Sequence, residues 1–157
     1  MKTKILFLFL TVFAVSTVFA QRMTSFTWES YKMKFDIPTT FEVKDNTGEK
    51  FMASNADINL TIYPRKGENL DADGMISALD GWAKDSQLGN LTEMEVISSQ
   101  LNGYWGVFQE GTKNGWPVFL MLIVDPDYPN ISFYVWVSYA TGTEDTALKI
   151  LKSFTPI

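Results

Sequence analysis

Seven consecutive residues, Val118 to Val124, carry no polar side chain. The run is too short to span a membrane. Turn-forming Asn114-Gly115 before it and Asp125-Pro126-Asp127 after it argue for a strand over a helix. A strand without a polar face must be covered on both sides, so the pattern predicts the central strand of a two-sided sheet. Elsewhere polarity alternates. Tyr31, Met33, Phe35 and Ile37 alternate with Lys32, Lys34 and Asp36, Phe41 and Val43 alternate with Glu42 and Lys44, and Ile58, Leu60 and Ile62 keep the same period. Period two with one polar side marks a half-buried strand, so these segments are expected as outer strands of the same sheet, each with one wet face.

Two segments change to a helical period. Between Asp71 and Gln87, Met75, Ile76, Leu79, Trp82 and Ala83 fall on one stripe, while Asp73, Lys84 and Asp85 lie off it. Near the C-terminus Ala147, Leu148, Ile150, Leu151 and Phe154 form a second stripe, and Thr141 and Glu144 have capping-box spacing. Asn102-Gly103 and Asn114-Gly115 separate extended runs and favour tight type I′ hairpins. The second turn sets Phe108 opposite Met121 and Val107 opposite Leu122. The first, run without a bulge, sets Glu95 opposite Glu110. Ile131 to Tyr139 follows as a strand with Phe133, Val135 and Val137 on one side and Tyr134 and Trp136 on the other. The expected fold is α+β: a three-layer α/β/α sandwich with a mostly antiparallel sheet and one helix on each face.

The first twenty residues change the picture of where this domain works. Lys2 and Lys4 precede an apolar run from Ile5 to Val15, and Val18-Phe19-Ala20 ends in a small residue. This is the pattern of a secretory signal peptide, expected over residues 1–20 with cleavage before Gln21. One globular domain is expected over 21–157, exported to the periplasm or the extracellular space, with no lipid anchor and no membrane span after cleavage. Without Lys2 and Lys4 the 13 basic residues become 11 against 18 acidic ones, a net charge of 11 − 18 = −7. That balance disfavours nucleic acid as a partner. The chain holds neither Cys nor His, which removes Cys/His zinc sites, Ser–His and Cys–His nucleophilic pairs and disulfide chemistry.

The order of elements, the early Tyr31-x-Met33-x-Phe35-x-Ile37-Pro38 strand and the terminal Ile150-Leu151-x-Ser153-Phe154 together resemble the PsbP-like domains over Thr27 to Phe154. That group includes the extrinsic subunit of the oxygen-evolving complex, the bacterial periplasmic DcrB-type proteins and a nuclear Ran-binding import factor. The resemblance implies a non-catalytic docking or binding domain whose partner, an unknown protein or glycan, the fold does not choose.

Three constellations are candidates for chemistry. Asn69 to Asp80 resembles an EF-hand-type calcium loop, with Asn69, Asp71, Asp73 and Asp80 at the side-chain ligand positions, Met75 at the backbone-carbonyl position and Gly74 at the sharp turn. Asn stands where Asp is usual, and no entering helix precedes it. On the simpler reading Asp71 and Asp73 only cap and charge the start of the first helix. Glu95 and Glu110, if cross-strand partners, form a carboxylate pair of the kind used in glycan hydrolysis, or else two solvated side chains at a strand end. Trp105, Trp116 and Tyr128 lie near turns, where an exposed ring can meet a partner. The reading carried forward is an exported, non-catalytic binding module using these loop aromatics, with no cofactor expected. A calcium-bound form and a carboxylate-dependent glycan hydrolase are the alternatives.

Overall fold

The computed structural model describes residues 21–97 and 101–157, so the expected signal peptide lies outside the described residues. In chain order the elements are β1 (Met23–Trp28), a 3-10 turn (Glu29–Tyr31), β2 (Met33–Pro38), β3 (Glu42–Asn46), β4 (Phe51–Ser54), β5 (Ile58–Lys66), α1 (Ala72–Asp85), β6 (Glu95–Ile97), β7 (Trp105–Lys113), β8 (Trp116–Val124), β9 (Ile131–Tyr139), α2 (Glu144–Lys152) and β10 (Thr155–Pro156). They form a seven-stranded sheet ordered β3-β4-β5-β9-β8-β7-β6 and a three-stranded sheet ordered β1-β2-β10.

The doubly apolar run behaves as its composition requires. All seven residues from Val118 to Val124 are buried. Phe119, Met121 and Ile123 join one apolar cluster and Val118, Leu120, Leu122 and Val124 the other. Asn114 and Gly115 both have positive φ, and Lys113 pairs with Trp116 across them. Phe108 faces Met121 and Val107 faces Leu122, as the turn dictates. In β9, Phe133, Val135 and Val137 turn to the first cluster and Tyr134 to the second, with Trp136 packed beside it.

The three-layer sandwich with one helix on each face is corrected. Among the described residues the fold is mostly β, with 47% strand against 19% helix, and ten strands lie in two sheets. On one face α1 supplies Met75, Leu79 and Ala83. The other face is covered by the small sheet, whose Trp28, Met33, Phe35 and Ile37 are buried, with α2 contributing Ala147, Ile150 and Leu151 beside it. β2 is therefore not an outer strand of the main sheet. The turn before it gave no sequence signal: it closes through Lys32 at φ 51°, a left-handed position usually marked by Gly or Asn. Phe35 fixes the small sheet in place, stacking on Phe154 at 5.0 Å and meeting Phe51 edge-on at 5.0 Å.

Two local expectations also change. α2 starts at the N-cap Thr143, whose side chain makes no cap bond, so the Thr141–Glu144 box does not form. The Asn102-Gly103 turn forms, with the Tyr104 N–H donating to the Leu101 carbonyl at 2.9 Å, but it does not set the β6–β7 register. Glu95 pairs with Phe108 and Ile97 with Gly106. Leu101 and Tyr104 are drawn into the core, and the Asn102 amide donates to the carbonyls of Lys152 (3.2 Å) and Phe154 (3.1 Å). Gly106 permits this, since a Cβ there would lie 2.6 Å from the Leu101 side chain. The β6–β7 register does not follow from this turn, and Glu95 stands two residues out of line with Glu110.

Because Phe35 belongs to the main core, Phe35→Ala is expected to cost about 3–5 kcal/mol. A urea titration that shows one cooperative transition with a lower midpoint confirms that the small sheet is integral; a loss within about 0.5 kcal/mol would make it an accessory.

Candidate functional site

The acidic stretch before α1 is a helix start. The Asp71 carboxylate accepts from the Gly74 backbone N–H at 2.8 Å as the N-cap, and α1 begins one residue later. Asp73 and Asp80 thus stand seven residues apart on a regular helix, about 10 Å along its axis. Calcium ligands must converge to roughly 2.5 Å from one ion. Asp80 instead takes a 2.6 Å ion pair from Lys84. Met75 lies within the helix, and Asn69 sits at φ 47° ahead of it. Among the described residues no group of three or more acidic side chains is gathered where it could hold a metal ion. The residues proposed as ligands are not brought together.

Glu95 and Glu110 are diagonal neighbours, because Glu95 faces Phe108; such positions stand roughly 7–8 Å apart. Both line a cleft of about 230 Å³ between the sheet and α2, floored by Phe108 and Met121. Burial first, then Glu144 and Glu95, hold the Glu110 carboxyl above its ordinary range. The same cause, followed by Glu144 and Glu110, pushes the nearby Tyr139 hydroxyl up to about 12.

The three turn aromatics are all exposed, Trp105 by 48%, Trp116 by 47% and Tyr128 by 66%, but they form no common surface. Trp105 and Trp116 begin the two antiparallel strands of one hairpin, with Trp105 facing Val124 and Trp116 facing Lys113. They stand eight residues apart along the sheet, about 27 Å. Tyr128 lies in the β8–β9 loop at the Trp105 end, where its N–H donates to Asp125 at 2.9 Å. Trp105 instead walls a separate apolar cleft of about 340 Å³ with Met75, Val96 and Val107, at whose edge Asp71 also sits.

Trp116 has different company. α1 packs over β7 and β8, and its Trp82 reaches Tyr134 and Trp136 of β9; beyond it the same face of β5 and β9 is only partly covered, with Tyr134 and Thr61 buried and Asn59, Tyr63, Trp136 and Ser138 partly exposed. There Asn59, Thr61 and Tyr63 alternate with core-facing Ile58, Leu60 and Ile62, and pair across to Ser138, Trp136 and Tyr134 of β9. Two clefts lie over this surface. One, of about 540 Å³, is lined by Glu49, Asn59, Thr61, Tyr63, Pro64, Arg65, Trp82, Ser86 and Trp136. The other, of about 400 Å³, shares Asn59 and Trp136 and adds Asp57, Lys113, Trp116 and Ser138. Together they make one groove, with Trp136 at the junction.

Its wall is braced from α1. Trp82 meets Trp136 edge-on at 5.9 Å, Tyr134 at 5.3 Å and Tyr63 at 6.3 Å. The Tyr134 hydroxyl donates to the Glu68 carboxylate at 2.9 and 3.1 Å, and the Arg65 guanidinium lies 4.1 Å from its ring centroid. Burial, reinforced by the Glu68 bond, pushes Tyr134 up to about 12, so it remains a donor and ties the segment ahead of α1 to β9. Lys113 bonds the Ser86 carbonyl at 2.7 Å and fixes the far end of α1. Tyr63, Trp82 and Trp136 were legible in sequence only as strand or stripe residues. The one signal for them was the Asn59-x-Thr61-x-Tyr63 alternation, polar and aromatic opposite an apolar face; which strand lies beside it cannot be read from spacing.

No family model matches this chain, and no curated protein matches it. Solved structures do. The Ran-binding protein Mog1p of Saccharomyces cerevisiae is similar over 86% of this chain and 95% of its own, with a TM-score of 0.58 at 5% identity. The chain has the Mog1 fold. A mutant form of Mog1 agrees, with a TM-score of 0.54 at 8% identity over 85% of this chain and 95% of its own. PA94 of Pseudomonas aeruginosa, a protein of unknown function, covers 87% and 98% at 13% identity, but its TM-score of 0.45 adds nothing to the argument. The resemblance drawn from the sequence holds at this coarser level, and at such identities similarity to Mog1 carries the fold alone.

Two outcomes test these placements. Asp71→Ala is expected to cost about 1 kcal/mol as a lost helix cap, by the same amount in millimolar calcium and in chelator. A calcium-dependent rise in the parent's thermal midpoint that the variant lacks would restore the metal reading. For Glu110, a carboxyl held high in the folded state stabilises the fold when protonated, and that contribution is lost as pH rises through the folded value. Glu110→Gln is therefore expected to be more stable than the parent at pH 7 and to converge with it by about pH 3.5, read as urea midpoints at both.

Proposed function

We propose that this chain is an exported, PsbP- and DcrB-like binding module without catalytic chemistry of its own, which meets a protein or glycan partner in the groove between β5, β9 and α1. The observation that carries this reading is the partly covered face itself: partly exposed Tyr63, Trp82, Trp116 and Trp136 are gathered with hydrogen-bonding side chains in two adjoining clefts. Ligand sites are concave, of about 300–1,000 Å³, and set a few polar groups among aromatic ones. The absence of His and Cys from the sequence removes Ser–His and Cys–His nucleophilic pairs and Cys/His zinc sites; the diagonal Glu95 and Glu110, roughly 7–8 Å apart, keep a carboxylate spacing that an inverting glycan hydrolase uses, so hydrolysis stays the second reading. No cofactor is required. Of the expected contact aromatics, Trp116 belongs to this groove, and Trp105 and Tyr128 do not.

The test is retention. The protein, expressed with its own leader and immobilised, is exposed to an envelope extract of its host, beside Tyr63→Ala/Trp116→Ala and Trp105→Ala/Tyr128→Ala forms of the same thermal midpoint. Protein or carbohydrate held by the parent and the second form but lost from the first supports the groove. Equal retention by all three moves the site elsewhere.

A further inference from the structure

We infer that the ligand of this groove is an uncharged oligosaccharide. The inference rests on the reading of the groove as the binding site and adds the class of its ligand.

Charge is the first argument. The chain expected after leader removal carries a net −7, yet each half of the groove holds one acid and one base: Glu49 with Arg65 in the larger cleft, Asp57 with Lys113 in the smaller. A site for an acidic polysaccharide or a basic peptide would show an excess of one sign. The groove is balanced, which suits a neutral molecule.

Surface chemistry is the second. A stable protein–protein contact buries roughly 800 Å² per partner, and the fully buried centre of that area is the part that is depleted of charge and enriched in apolar and aromatic side chains. Here the rings are separated by polar side chains: between Tyr63 and the Trp116 end the partly exposed Asn59 donates to the buried Thr61 hydroxyl at 3.2 Å and keeps its own amide oxygen unpaired by any other described side chain. A pyranose needs that mixture. Its C–H face is attracted to the electron-rich face of an aromatic ring, and its ring of hydroxyls needs donors and acceptors alongside. Among the described residues the Trp28 indole is committed to the Thr47 carbonyl at 3.1 Å, whereas those of Trp82, Trp116 and Trp136 donate to no protein acceptor. Three partly exposed N–H donors are thus left facing solvent or ligand.

Length is the third. The two clefts follow β5 from Arg65 to Ile58, seven steps of about 3.4 Å or ~24 Å in all. That accommodates several linked sugars, so a chain is expected to bind better than its monomer.

The experiment is calorimetry and tryptophan emission with maltohexaose, cellohexaose, xylohexaose, mannohexaose and chitohexaose, each with its monosaccharide, and polygalacturonate as the acidic control. At least one neutral hexaose is expected to bind more tightly than its monomer. Tyr63→Ala and Trp116→Ala, each assayed well below its own thermal midpoint, are each expected to weaken it on the order of tenfold, the loss of one good contact. Asn59→Ala should weaken it too, and Tyr128→Ala should not. Binding of polygalacturonate alone, of no hexaose, or of a hexaose that all three groove variants still hold would overturn the inference. If the retention test returns a groove-dependent partner that is protein and survives glycosidase treatment, the glycan inference falls while the groove stands. If groove variants retain everything, both fall.

Discussion

The run from Val118 to Val124 has an apolar side chain at every position, and every one is buried. An alternating strand can leave one face in water; β8 cannot, so the sheet that contains it must have two covers. The chain meets that demand asymmetrically. One face receives the three-stranded sheet and α2, the other only α1. Each fully buried Leu, Ile, Phe or Val side chain contributes about 1.5–3 kcal/mol; aliphatic side chains of β7 and β8 fill the surface under α1, and toward β9 and β5 they give way to Tyr134 and Trp136 under Trp82 and then to Asn59, Thr61 and Ser138.

That asymmetry explains how much was legible. Elements whose fate is decided by their own pattern were readable: β8 from its uninterrupted run, the β7–β8 register from Asn114-Gly115, the α1 stripe from Met75, Leu79 and Ala83. What could not be read was decided by distant partners. The alternation of Met33, Phe35 and Ile37 correctly marks a half-buried strand, but nothing in it says that the buried side meets Phe51 and Phe154 across a second sheet. Period-two patterns specify a face, not a neighbour.

The site shows the same division. Asp71 and Asp73 matched a calcium loop by spacing because helix caps and calcium loops both place Asp before a turn; only the helix starting at Ala72 separates them. A turn rule sets Glu95 opposite Glu110 only if the hairpin runs without a bulge. Here the turn forms and its Asn102 amide also reaches the end of α2, yet the β6–β7 pairing is offset from it by two residues. Trp116 is legible because it stands beside a turn, whereas a helical stripe and a strand alternation mark Trp82 and Trp136 as packing residues, a role they also fill.

The groove follows from dimensions. Seven strands at about 4.8 Å spacing present a sheet roughly 29 Å wide, and one helix with its side chains is about 10–12 Å across. A single helix therefore covers less than half of its face. On the opposite side, a three-stranded sheet adds two such spacings, roughly 10 Å, to the width of α2, and little remains open. With α1 seated over β7 and β8 and only its Trp82 reaching β9, part of the strip along β5 and β9 stays in contact with water at Asn59, Tyr63, Trp136 and Ser138, and only side chains that tolerate both water and a packed neighbour can line it. Tyr and Trp meet that requirement, each with an apolar body and a polar tip. The same requirement makes the strip suited to a ligand that is itself apolar on one face and hydroxylated at its edge.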